Sequence, residues 1–444
     1  MPVSPSRVAA FSILLRVEKE RAYASELLHS PRWEELSSAD HRLATELVMG
    51  VLRWRSVLDR QIAEFSAQEL TRLDVEVLVA LRVAAYQMSF LDRIPRRVAV
   101  HESVELMKRA KKRSAAAFVN AVLRKFPQQR RQPKPASIQL ARTPGELSFA
   151  SAHPLWLVER WERAFGLAVT QQICEYDQRP PETAVYLDDA NVEHELESTG
   201  ACLARGPLLD SARRVLRGDV SRSRACLEGR TWIQDEGSQL VAHLVGRGER
   251  ILDSCAAPGG KTRMLARRNP RGEVIAVELH AYRARLLRKL VNNPNVQVMI
   301  ADARELPVGV DFDRVLIDVP CSGTGTLARN PEIKWRLQPD DLADLRAKQI
   351  AILRSGMQRV ARGGKLVYST CSLEEEENVE VVEAALAGAG DFRLLNCSIE
   401  LERLRSSGEF RWKDVASLVR GPYLRTIPGV HPCDGFFAAT LEKT

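Results

Sequence analysis

Two rhythms of apolar residues divide this chain. Through the first third they recur every three to four positions, the spacing of one helix face. Ala10, Ile13, Leu14 and Val17 make one such stripe, behind Ser4 as a cap and Pro5 in the first helical position. Leu43, Leu47 and Val51 make another, and Asp74 opens a third that carries Val75, Leu78, Val79, Val83 and Tyr86. After an interruption at Pro95, Val98 to Met107 and Ala115 to Leu123 complete an all-α domain with no strand pattern. Residues 127–147 are rich in proline and polar groups and read as a linker. A short helix follows, with Trp156, Val158 and Trp161 as core rather than stacking platforms. Between Arg179 and Trp232, short apolar stretches such as Thr183 to Leu187 predict a small α/β unit.

From about Gln234 the rhythm changes. Strands are expected at Arg250–Asp253, Glu273–Val277, Gln297–Ile300, Arg314–Asp318 and Lys365–Ser369, with Phe436–Leu441 closing the sheet. Helices are expected at Thr262–Arg268, Ala281–Asn292, Pro339–Ala361 and Glu374–Ala387. Strands alternating with helices predict an α/β doubly wound, Rossmann-like, mostly parallel sheet. The chain is therefore expected to be multidomain: a helical domain over residues 1–130, a linker over 131–147, a small α/β connecting domain over 148–233 and a C-terminal catalytic domain over 234–444.

Composition narrows the class. Hydrophobic residues at 45% and charged residues at 27% are those of ordinary globular proteins. With no apolar run of 18 residues and no signal-peptide pattern at MPVSPSRVAA, a cytoplasmic protein, with no membrane partner, is expected. Eight cysteines without a CxxC pair or histidine interleaving argue against a metal. The net charge of +8 is concentrated in the later part of the helical domain. Arg93, Arg96 and Arg97 are followed by Lys108, Arg109, Lys111, Lys112 and Arg113, then by Arg124, Lys125, Arg130 and Arg131. Such recurrence with few acids between predicts phosphate contacts to RNA, with Arg96, Arg97, Lys108, Lys111, Lys112 and Arg113 as candidates. The chain is expected to act as a monomer.

The candidate chemistry gathers at strand ends. LIDVPCSGTGTL, Leu316 to Leu327, is a buried strand followed by a glycine turn, with Asp318 at its exit and Cys321 just beyond. GKLVYSTCS, Gly364 to Ser372, is a second apolar strand ending in Cys371. In open α/β sheets, ligands bind at that edge. The first strand of the sheet ends in DSCAAPGGKT, a glycine-rich turn that fits neither GxGxxG nor the phosphate-cradling GxxxxGK[ST] pattern. Glu278, ending the second strand, is placed for ribose hydroxyls, and Asp302, after the third, for an adenine amino group. A ligand with ribose and adenine but no pyrophosphate points to S-adenosylmethionine. Two thiols beside it point to methylation of a carbon that needs activation, such as pyrimidine C5. A thiolate adds at C6, C5 takes the methyl, and a base removes the C5 proton. Cys371 is expected at the start of a helix, with Ser372 as its cap and Glu374 to Glu377 as the acids of a favourable N-terminus. Chemistry alone leaves the roles of the two thiols exchangeable.

Two resemblances add to this. LVMGVLRWRSVLD, VLVALRVAAYQM, IPRRVAVHESVELMKR and FVNAVLRK resemble the NusB family of small helical RNA-binding domains over roughly residues 5 to 128. SCAAPGGKT, DVPCSGTG, NPEIKW, YSTCSLEEEEN, DGFFAATLEK and the preceding WIQDEGSQLVA are similar to the RNA cytosine-C5 methyltransferases of the Nol1/Nop2/Sun family. A NusB-like domain ahead of them resembles the bacterial Sun type, which implies 16S ribosomal RNA as partner. The resemblance implies Cys371 as nucleophile, Cys321 in product release and Asp318 hydrogen-bonding the cytosine ring and the cofactor. It also implies cofactor binding by Cys255, Ala256, Ala257, Pro258, Gly259, Gly260, Lys261, Glu278, Asp302 and Asp318. Val319 stands where the family usually has Ala, Gly237 also replaces Ala, and Glu278 replaces a common Asp. Two alternatives stay open: the same chemistry on transfer RNA or another ribosomal site, and a NusB-like RNA-binding assembly factor without activity. A generic oxidoreductase explains neither cysteine.

Overall fold

The computed structural model describes residues 3–127, 135–307, 309 and 311–444. They form two compact units, one holding the chain up to Pro180 together with Leu327–Leu337, the other holding Pro181–Thr326 and Gln338–Thr444.

The first unit is helical, as expected. Its centre is the helix Val75–Phe90, which is buried on nearly every side and so is apolar nearly all round. The helices Pro5–Glu20, Ser38–Arg53, Arg55–Phe65, Arg96–Arg109 and Ala115–Lys125 pack around it. Its buried Arg82 is neutralised by Asp59 at 2.7 Å and Glu18 at 3.0 Å. Pro5 takes the first helical position, but the Ser4 hydroxyl does not cap; it donates to Glu102 and accepts from Arg7. The expected linker is helical over Pro135–Gln139 and Pro144–Ser151, since Thr143 caps the second of these by accepting from Glu146 N. Residues 128–134 of that linker, with Arg130 and Arg131, lie outside the described residues. In the following helix, Leu155–Phe165, Val158 and Trp161 are buried.

The short segment Leu327–Leu337, which carries NPEIKW, completes this helical unit. Lys334 Nζ donates to the carbonyls of Arg53 at 2.9 Å and Ala152 at 3.0 Å. Trp335 Nε1 donates to Leu52 O, and Glu332 Oε1 accepts from Ala24 N at 2.9 Å. Lys334 is 2% exposed, and burial pushes its ammonium down to about 7.

The second unit contains two sheets. Thr183–Leu187 (β1), Cys202–Arg205 (β2), Ala212–Arg217 (β3) and Thr231–Ile233 (β4) form an antiparallel sheet of order β2-β3-β1-β4, with the helix Ala190–Ser198 between its first two strands. One face packs Val185 and Leu187 on Val192 and Leu196. The other stacks Tyr186 on Trp232 and packs them on Ala242 and Met264.

The larger sheet has nine strands: Arg250–Asp253 (β5), Glu273–Glu278 (β6), Val296–Ile300 (β7), Phe312–Asp318 (β8), Val360–Thr370 (β9), Phe392–Leu395 (β10), Val419–Arg420 (β11), Tyr423–Arg425 (β12) and Phe437–Lys443 (β13). β7, β6, β5, β8 and β9 are parallel in that order, and β13 continues the sheet antiparallel to β9. From β5 the chain runs outward through β6 and β7, then returns to β8 on the other side. The order therefore reverses between β5 and β8, where a crevice opens at the carboxyl ends. Both faces are covered. Leu316 and Val367 face the helix Glu236–Val245, while Val315, Ile317 and Tyr368 face the helix Asp341–Met357. Double coverage explains why these strands read as continuous apolar runs.

Several element boundaries differ from expectation, β13 does not close the sheet because β12 and β11 extend it and β10 pairs with β13, and two helices differ most. The helix expected at Pro339–Ala361 is Asp341–Met357, and β9 begins at Val360 because Val360 already pairs with Phe312. The helix expected at Glu374–Ala387 is a 3₁₀ turn, Glu375–Glu377, followed after a break at Asn378 by the helix Val379–Leu386. Cys371 and Ser372 therefore precede a turn, and the expected helix N-terminus at the thiol is absent. No described helix is long and apolar enough to cross a membrane.

Candidate active site

Strand register brings the expected residues together. Asp318, ending β8, lies opposite Ser369 of β9, and Asp253, ending β5, lies opposite Leu316. The chain beyond β8 and β9 then delivers Cys321 and Cys371 with their sulfurs 3.3 Å apart. Cys371 N also donates to Cys321 Sγ. All eight cysteines are free thiols. The Cys321 thiol is raised well above its ordinary range, first by its hydrogen bond with Cys371, then by burial and by the charges of Cys371 and Glu377.

Asp318 is held on both oxygens. Ser369 Oγ donates to one at 2.7 Å and Lys261 Nζ to the other at 2.8 Å. Burial works against the Lys261 ammonium, but the Asp318 charge and hydrogen bond outweigh it, and its pKa is raised. Lys261 thus stands as a cation between the turn after β5 and the acid after β8.

That turn, Cys255 to Lys261, leads into the helix Gly260–Arg268. Gly259 has φ +114°, and a Cβ there would meet Val291 and Leu287 within 2.6 Å, so the turn admits only glycine. Asp253 accepts from Thr262 Oγ1 at 2.7 Å, and burial pushes its carboxyl up to about 7. Glu278 is buried at the end of β6 and accepts from His280 N at 2.9 Å. Asp302 follows β7, but its carboxylate is engaged by Arg304 Nε and Nη2, which lowers its pKa. A glycine turn and two acids on successive strand ends fit a ribose-bearing ligand, with Asp302 the member already occupied by a cation.

Gly325 shows why the turn after Cys321 is rich in glycine. Its N–H donates to Cys371 O at 2.9 Å, and its carbonyl accepts from Gly435 N at 2.7 Å. A Cβ on Gly325 would stand 2.3 Å from Gly435 O. Three motifs distant in sequence therefore meet backbone to backbone.

With this geometry, comparison with known proteins is informative. The model of the 16S rRNA methyltransferase RsmB/F family matches residues 244–442, and that of the NusB family matches residues 4–128. A probable ribosomal RNA small subunit methyltransferase B of Bacillus subtilis is 33% identical, over 98% of both chains. The chain belongs to the RsmB/F family of ribosomal RNA small subunit methyltransferases. The ribosomal RNA small subunit methyltransferase B of Klebsiella pneumoniae is 31% identical, over 93% of this chain and 92% of its own. The crystal structure of PH0851 has the same fold, with a TM-score of 0.81 over 100% of both chains at 23% identity. Membership makes this an RNA methyltransferase with a NusB-like helical region.

The expected RNA contacts divide. The Arg96 guanidinium is spent on backbone carbonyls of Leu123, Arg124, Phe126 and Pro127. That ties off the C-terminal end of the helix Ala115–Lys125, a structural task. Lys112 pairs with Asp74 at 2.8 Å and Lys108 with Glu105 at 2.6 Å. Arg97, Lys111 and Arg113 remain exposed, with no ion-pair partner among the described residues. Sequence reasoning missed Ser369, Ser322 and Gln349, and read Ser372 and Glu377 only as the cap and an acid of a helix N-terminus. Ser369 had a signal, its place two residues before Cys371; Glu377 had none to distinguish it from three adjacent glutamates.

Proposed function

We propose that the protein methylates C5 of a cytosine in 16S ribosomal RNA, using S-adenosylmethionine and a covalent bond from Cys371 to C6. The observation that carries this reading is the pair of sulfurs 3.3 Å apart beside the Lys261–Asp318–Ser369 chain. Cys255 to Lys261, Glu278 and Asp302 would hold the cofactor, which supplies the methyl group as an electrophile.

Cys371 attacks C6 as a thiolate while Cys321 keeps the proton of the pair. Electrons pushed out of the C5–C6 bond accumulate toward N3 and O2, where the Lys261–Asp318 pair offers a cation and hydrogen bonds. Forming the C–S bond removes the negative charge from Cys371. With it go the hydrogen bond and the charge that raise Cys321, so the Cys321 thiol can give its proton to solvent and stand as the base once C5 has gained the methyl group. It then takes the C5 proton, the C5–C6 double bond re-forms, and the C6–S bond breaks to return Cys371 as thiolate. The exposed cations Arg97, Lys111 and Arg113 would contact phosphates without reading sequence.

The test is transfer of labelled methyl from S-adenosylmethionine to protein-free 16S ribosomal RNA, with bisulfite mapping. One protected cytosine is the expected result. Signal on transfer RNA or assembled subunits alone would move the substrate, and silence on all three would overturn the reading.

A further inference from the structure

Behind the two thiols lies a carboxylate that the chemistry above does not use. Glu377 is fully buried and, among the described residues, has no cationic partner. One oxygen accepts from Ser322 N at 2.8 Å and from Gln349 Nε2 at 2.9 Å. The other accepts from the hydroxyls of Ser322 and Ser372. An ionised carboxylate offers about four acceptor sites, and here every one is filled by a neutral donor. Its own backbone is pinned too, because Tyr368 Oη donates to Glu377 O at 2.6 Å.

The donors are informative by position. Ser322 follows Cys321 and Ser372 follows Cys371, so one carboxylate grips the neighbour of each thiol. Gln349, from the helix Asp341–Met357, donates with the same amide to Pro320 O at 3.0 Å, just before Cys321. Four elements thus converge on a single buried charge: β8 with its turn, β9 with its turn, the 3₁₀ turn Glu375–Glu377 and the long helix. Burying a carboxylate without a cation is costly unless hydrogen bonds compensate. The compensation here is the set of bonds that fixes the two thiols relative to each other.

We propose that Glu377 is a positioning residue that holds Cys321 and Cys371 at bonding distance and keeps the proton of the pair on Cys321. The inference rests on the C5 reading above. Spanning both turns sets the sulfur separation. The Glu377 charge beside Cys321 disfavours the Cys321 thiolate. Two other titratable groups interact with the pair: Lys261, from the turn after β5 and bonded to Asp318, with Cys371, and Tyr368, within β9, with Cys321. Of these Lys261 is the cation, and its bond is to Asp318 rather than to either sulfur.

Two variants separate reach from charge. Glu377→Gln keeps the reach, because both serine hydroxyls can rotate to accept from the new amide. Glu377→Asp keeps the charge but is one methylene too short to grip both turns. Alkylation by iodoacetamide across pH, resolved by peptide mass spectrometry on the free full-length protein, reads each thiol separately. In the parent, Cys371 labels first. In Glu377→Gln, labelling of Cys321 moves down by about one pH unit, roughly tenfold faster at a fixed pH on its rising limb. In Glu377→Asp that profile stays, while the rate of covalent RNA adduct formation falls about tenfold as the thiols lose alignment. Ser322→Ala, which keeps the carboxylate and removes only a hydroxyl donated to it, leaves that charge less screened and shifts the Cys321 profile upward, and serves should Glu377→Gln not fold. An unchanged Cys321 profile in a folded Glu377→Gln or Ser322→Ala protein overturns the inference. The alkylation needs no RNA, so its outcome is independent of whether the parent methylates cytosine.

Discussion

Each unit buries a charged side chain held by neutral hydrogen-bond partners, and the two are used differently. In the helical unit Lys334 donates to the carbonyls of Arg53 and Ala152, at the ends of the helices Ser38–Arg53 and Pro144–Ser151. Those carbonyls lack intrahelical partners and carry the negative end of the helix dipole, so a cation there closes the structure. In the catalytic unit Glu377 accepts from residues adjoining the two reactive thiols. The first charge completes a packing arrangement and the second sets a chemical geometry. Losses in the helical unit should therefore appear as stability and salt dependence, and losses in the catalytic unit as rate.

The largest expected effect belongs to Cys371→Ala, which should lower methyl transfer on the order of 10⁴-fold or more and abolish any covalent adduct with RNA. Residual adduct in a denaturing gel would exchange the roles of the two thiols. Cys321→Ala should still form that adduct but leave it unresolved, seen as an RNA-shifted band that persists while turnover is lost. Gly325→Ala should cost about 100-fold in rate, because the added carbon would push apart the backbones carrying Cys371 and Gly435.

Smaller effects belong to the helical unit. Lys334 in the fold titrates at about 7, below its ordinary 10.5, so between these values the unfolded chain binds more protons. Stability should then rise as pH climbs from about 7, and Lys334→Met should flatten that rise in the melting temperature. Equal slopes for the two proteins would remove Lys334 from this account. Replacing Arg97, Lys111 and Arg113 together by Ala should make the salt dependence of RNA affinity shallower by about 2 in the log–log slope. An unchanged slope would return these residues to an ordinary solvated surface.

Much of the catalytic sheet was legible because strands buried on both faces carry uninterrupted apolar runs. β5, β6 and β8 fall where those runs do, Asp318 and Cys321 lie at the exit of β8, and Cys371 lies at that of β9. The pairing Val360↔Phe312 was not legible, since Gly363 and Gly364 break the apolar run of β9 and let its first residues pass for the end of a helix. Glu377 was illegible for a different reason. Four adjacent glutamates have the same local signature, and although Glu374 and Glu377 both turn inward, only the donors on other elements single out Glu377. Arg96 shows the converse: a basic cluster records charge but not whether a guanidinium is consumed by a helix end.

The segment Leu327–Leu337 bears on how this protein can be dissected. By sequence it belongs to the stretch between Cys321 and the helix Asp341–Met357, yet it supplies the helical unit with Glu332, Lys334 and Trp335. The polypeptide passes from one unit to the other three times, after Pro180, after Thr326 and after Leu337. No single cut yields two intact pieces. A fragment ending at Pro180 would expose the floor on which Lys334 sits, and the remainder would carry a buried lysine and a half-buried tryptophan into water. A chimaera exchanging the helical region must therefore import these eleven residues with it.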